Sequence, residues 1–127
     1  MQWILDSKVD ELTVRRVERI LEGYIAVKVP REVRSSVCLT YEWNAAGLTL
    51  MEERPDTQGR KWHGIAVARF ALERGKWRVY AWNGVQGWEE VRSILPTPDF
   101  EYQLEQVELD VDGLFWPVTD LDEAELV

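Results

Sequence analysis

Cysteine and histidine are all but missing: the 127 residues hold one of each, Cys38 and His63. A lone thiol closes no disulfide within the chain. With a single imidazole beside it, neither a Cys/His zinc site nor a Cys-His nucleophile pair has enough partners. Cys38 alternates with apolar neighbours as a small sheet residue would, and that suits a reducing cytoplasm. Long apolar runs are missing as well. No segment has the length that a bilayer demands, and Met1 to Glu11 offers neither the basic start nor the apolar stretch of a secretion signal. No membrane partner is expected, and the location expected is the cytoplasm. Glycine-rich phosphate loops are absent, since Gly84 and Gly87 belong to a hairpin with no helix start after them.

Basic residues also run out. All 15 Lys and Arg lie at or before Arg92, whereas ten of the 23 acids follow it, so the net charge of −8 resides in the C-terminal part. That part would repel a phosphate backbone, which disfavours nucleic acid as a partner. It acts either as a solvated face or as a segment that docks on a cationic sheet face of its own or another copy, and a homodimer stays open.

What is present describes a folded domain. The mixture of 46% hydrophobic and 30% charged residues is globular rather than disordered, and the length allows one domain over 1–127 with its own core. Residues 1–8 read as a lead-in and 119–127 as a frayed acidic tail. From Trp62 to Val91 apolar residues alternate with polar or small ones, broken by Arg74-Gly75 and Asn83-Gly84. This predicts a three-stranded antiparallel meander with two-residue turns. The first turn sets Leu72 opposite Trp77 and Phe70 opposite Val79 on an apolar face. The second would set Val79 opposite Trp88, Tyr80 opposite Gly87 and Arg78 opposite Glu89, which sends Trp77 and Trp88 inward. The other face then carries Val67, Arg69, Arg78, Tyr80 and Trp82, with the guanidiniums free to lie on Tyr80 or Trp82.

Upstream, Val9, Leu12, Val17, Ile20, Leu21 and Tyr24 fall at helical spacing, with Asp6 or Ser7 as the cap and one stripe to bury on the sheet. Gly23 weakens the end of this helix, and Pro30 stops either it or an extended Val27-Lys28-Val29. Ser35 to Trp43 and Leu48 to Glu53 form a hairpin of open register. A four-residue loop pairs Tyr41 with Leu50, and a three-residue loop with a bulge pairs it with Met51. Downstream, Thr97 before Pro98 predicts a cap for a short helix from about Pro98 to Glu108, ended by Gly113, although the alternating Val107, Leu109 and Val111 equally suit an extended segment. Leu114-Phe115-Trp116-Pro117 should staple that end to the body. The fold class is therefore α+β: an N-terminal helix packed on a five-stranded antiparallel sheet, with a short C-terminal helix.

Few residues invite chemistry. Glu52 and Glu53 adjoin in a strand, so they point to opposite faces and form no carboxylate pair; Glu53-Arg54-Pro55 reads as a strand end with an ion pair. Glu108-x-Asp110-x-Asp112-Gly113 resembles the start of a calcium loop, but Thr119 stands where the closing Glu belongs. No metal, cofactor or catalytic residue is assigned. Two readings of the outer face remain, a solvated surface and an aromatic-cationic binding site made by Arg69, Arg78, Tyr80 and Trp82.

The ordered series Glu53-Arg54-Pro55, Trp62, Ile65-Ala66, Ala68-Arg69-Phe70, Trp77 to Trp82 and Trp88 resembles an uncharacterised bacterial domain-of-unknown-function family over roughly residues 14 to 91, with Asp112 to Trp116 extending the match. That resemblance implies no activity and transfers no functional residue. The function expected is a non-catalytic module that binds a protein or a small ligand, and the alternative is a small hydrolase or lyase using His63 near Glu53 and Arg54.

Overall fold

The computed structural model describes residues 9–116. Helix α1 (Glu11–Lys28) starts where Asp10, in extended backbone, accepts the Thr13 N–H at 2.7 Å. The cap is therefore Asp10 rather than Asp6 or Ser7, because its side chain satisfies one of the donors that a helix start leaves free. Val17 and Leu21 are buried, and Ile20 and Tyr24 pack partly against them. Leu12 is 65% exposed. At 3.6 residues per turn it lies about half a turn round from Leu21, so it leaves the expected stripe. The helix runs through Val27 and Lys28 and stops at Val29, one residue before Pro30. The helical backbone of Val27 and Lys28 excludes the extended alternative, and Val29 leaves the helix because a residue before proline is pushed out of helical backbone.

A 3-10 turn (Arg31–Val33) leads into five strands: β1 (Cys38–Asn44), β2 (Gly47–Pro55), β3 (Trp62–Glu73), β4 (Lys76–Asn83) and β5 (Gly87–Glu90). They pair in chain order as one antiparallel meander. In the first hairpin Tyr41 pairs with Leu50, with Ala45 and Ala46 at the tip and Asn44 accepting the Ala46 N–H. Gly47 is required: its φ is +130°, and a Cβ there would run into the carbonyl oxygen of Phe70.

One side-chain face and one register depart from expectation. Between β2 and β3 the pairing slips, with Leu50 opposite Ala68 but Met51 opposite Ala66. The extra residue, Val67, turns inward beside Ala68 and is 1% exposed, so it belongs to the core and not to the outer face. Between β4 and β5 the loop is Gly84-Val85-Gln86, one residue longer than a two-residue turn. The Asn83 side chain accepts the N–H groups of Val85 and Gln86, and Gly87 takes a φ of +89°. Trp88 consequently pairs with Trp82, Glu89 with Ala81 and Glu90 with Tyr80. Trp88 moves to the outer face, because an odd slip reverses every side chain of a strand. The Arg74-Gly75 turn, with both residues at positive φ, keeps the expected pairs Leu72–Trp77 and Phe70–Val79.

Helix α2 (Phe100–Leu109) is capped by Asp99, which accepts the Tyr102 N–H at 3.1 Å. Thr97 is held instead by backbone bonds to Trp77 and does not cap. Phe100 wedges against Phe70 and Trp77, with ring centroids 4.9 and 5.2 Å apart. Buried Gln103 donates to the carbonyls of Trp77 and Leu95, tying the helix to β4 and to the preceding loop. The helix stops before Gly113, at Asp110, whose left-handed backbone aims its carboxylate at the N–H groups of Leu114, Phe115 and Trp116. Phe115 is buried and the Trp116 indole donates to the Val107 carbonyl, so this segment does staple the helix end.

Both helices pack on the inner face, around Val17, Leu21, Leu48, Phe70, Trp77 and Leu104. The lead-in 1–8 and the tail 119–127 lie outside the described residues, and with them the question whether the tail docks on the sheet. Two of the acids that follow Arg92 have partners away from Arg69 and Arg78: Glu108 binds Tyr24 and Lys28 of α1, and Asp112 accepts the Ser93 hydroxyl. Glu108, Asp110 and Asp112 thus serve three separate sets of partners and do not converge as ligands of one cation.

Candidate ligand groove at the step between two hairpins

Pairing of β2 with β3 ends at Leu48 and Phe70, while β3 continues beside β4 to Glu73 and Lys76. The tip of the first hairpin therefore stops short of the second. The step leaves a groove of about 550 Å³ between Asn44–Gly47 and Ala71–Glu73. Val9, Val14, Trp43 and Leu72 line one side, and Arg69, Tyr80 and Trp88 the other. This volume falls within the range of small-ligand pockets.

Arg69 and Tyr80, both expected in a site, are direct cross-strand partners and border the groove together. Arg69 is half-buried. Its Nε donates to the Thr49 hydroxyl at 3.1 Å, and its guanidinium lies 4.3 Å from the centroid of the Trp88 ring. It stacks on Trp88 and not on Tyr80 or Trp82, because the longer loop brought Trp88 to this face. Among the described residues no carboxylate lies within ion-pair distance of Arg69. Burial lowers its pKa from the ordinary value, with Glu42 as the opposing negative charge.

Arg78 is differently placed. It pairs with Glu90 at 2.7 Å and Glu73 at 3.4 Å, so the expected partner Glu89 is replaced by its neighbour for the same register reason. The Glu90 bond and charge raise its pKa. Tyr80 is raised too, first by burial and then by Glu73 and Glu90. Trp82 is 49% exposed and meets Trp88 edge to face at 5.3 Å, supporting the stack from outside the groove. Trp88 is the residue that sequence reasoning misplaced. Its signal was the pair Asn83 and Gly87, an amide able to hold a turn and a glycine four residues on.

The residues of the enzyme alternative do not assemble. His63 is exposed, opposite Arg54 in the β2–β3 pair, and does not border the groove. Glu53 accepts the Thr40 hydroxyl on the outer face, while Arg54 bonds Glu52, two residues away on its own side of the strand. Glu52 is 5% exposed on the inner face, and its Oε1 has no hydrogen-bond donor among the described residues.

Among the described residues no helix is long and apolar enough to cross a membrane. No curated protein and no solved structure matches the chain. The model of a domain of unknown function, DUF3024, matches residues 9–117, and the chain belongs to that family.

Proposed function

We propose that this protein is a non-catalytic module that binds a small ligand in the groove beside Arg69. The observation that carries the reading is a half-buried guanidinium at the wall of a concave site, held by Thr49 and Trp88 and without a carboxylate partner among the described residues. A cation so placed has lost part of its hydration and has no contact ion pair among the described residues, with Glu42 acting on it only from a distance, and an anionic ligand would supply one. Arg78, Tyr80 and Trp82 serve the same face: Arg78 and Tyr80 share Glu73, and Trp82 braces Trp88. A bacterial, cytoplasmic setting fits the lone thiol and belongs to the same proposal.

A fragment screen read by amide chemical shifts tests it. Hits should cluster on Ala45, Ala46, Gly47, Ala71 and Tyr80, and Tyr80→Ala should weaken them. Hits confined to other surfaces, or an unbroken absence of shifts at these positions, would overturn the assignment.

A further inference from the structure

Building on that reading, we infer that the ligand is a monocarboxylate with an apolar body, its carboxylate held by Arg69. Among the described residues, Arg69 is the one cation bordering the groove. A guanidinium offers five donors in a planar fork. With Nε on Thr49 and one flat side on Trp88, the remaining donors match the two oxygens of a carboxylate. The stacked ring and the Thr49 bond fix the plane of the fork before anything binds, so little side-chain freedom is lost on binding.

The rest of the lining sets the body and the charge. Val9, Val14, Trp43, Ala71 and Leu72 are apolar, and the Asn44 side-chain oxygen accepts the Ala46 N–H, which leaves only its neutral amide donors for a ligand. Glu73 is the acid at the rim. It faces Arg78 and the Tyr80 hydroxyl, yet its negative charge disfavours a second charge on the ligand. The start of α1, which borders the groove through Val9 and Val14, already has the Asp10 carboxylate on its N–H groups. One forked cation, an acidic rim and a capped helix start suit a single carboxylate and not a phosphate dianion.

The test uses the full chain labelled with 15N and three probes: 3-phenylpropanoate, its neutral amide and phenyl phosphate. The acid should shift the Arg69 Nε–H and Trp88 indole signals and bind about tenfold or more tightly than the amide, as expected for a charge-assisted pair. Arg69→Gln should remove that advantage, so that acid and amide bind alike. Ala46→Trp, at an exposed turn with Arg69 intact, should fill the groove and abolish binding even if Arg69→Gln fails to fold. Equal binding of acid and amide at the groove would overturn the carboxylate assignment while the binding reading stands. Tighter binding of phenyl phosphate would overturn it likewise. Failure of all three probes to shift groove signals would overturn both.

Discussion

On the inner face Trp77 is closed in by Phe100 and the flanking strands, and the polar group beside it, Gln103, donates to two backbone carbonyls. On the outer face Trp88 is half-covered by Trp82 and Arg69, and Arg69 retains free donors at a groove. Both regions pack aromatic rings near 5 Å, but only the inner one closes over them. The same contrast recurs within the outer face, where Arg78 is ion-paired with Glu73 and Glu90 and Arg69 is not paired among the described residues. Interaction energy already used inside the chain stabilises the fold; donors left at a concave surface are available to a ligand.

Substitutions on the two faces can break this comparison. Phe70→Ala removes a fully buried ring at the centre of the inner cluster and should cost about 3–5 kcal/mol in urea unfolding. Trp88→Ala should cost only about 1–2 kcal/mol while abolishing binding in the groove; an equal loss of stability would show that the outer stack is core. Gln103→Leu would remove the side-chain donor from the Leu95 carbonyl and leave that of Trp77 with only the long Thr97 N–H bond, and should cost about 2 kcal/mol, more than the Trp82→Ala change. Asp110→Ala loses the bonds to three N–H groups and should cost about 1–2 kcal/mol, with Asp110→Asn recovering part of it.

The smallest effect concerns alkali. Burial, with Glu18 and Glu22 behind it, pushes the Tyr41 phenol up to about 12, and burial with the Glu108 bond raises Tyr24 further. The folded chain favours the neutral phenols. Their stabilising contribution is full below pH about 10, the unfolded value, and for Tyr41 is lost as pH rises from there toward about 12. Thermal melts taken at increasing pH should show a loss that is shallower in the Tyr24→Phe, Tyr41→Phe chain. An unchanged pH slope would mean that these hydroxyls do not hold α1 to its neighbours.

Legibility in the sequence followed the range of the interaction. Alternation and helical spacing sufficed for five strands and two helices, and Arg74-Gly75 sufficed for its register, since each depends on neighbours along the chain. Asp10 and Asp99 compete with equally good caps nearby, so composition alone did not select them. Of the four residues expected in a site, Arg69 and Tyr80 border the groove, while Arg78 and Trp82 lie outside its lining.

By itself the sequence determined that α1 must stop before Pro30, that a glycine must stand where the Arg74-Gly75 turn needs positive φ, and that Phe70, Val79 and Trp77 share a buried face. Those are consequences of local sterics and of a period of two, which no distant contact alters. Tertiary structure alone decided that Val67 turns inward at a bulge, that Asn83 holds a longer turn, and that Trp88 therefore lies under Arg69. Each of these rests on one added residue in a ladder, a choice made by bonds and packing across strands, and a single step of that kind moves a side chain between the core and the outer face.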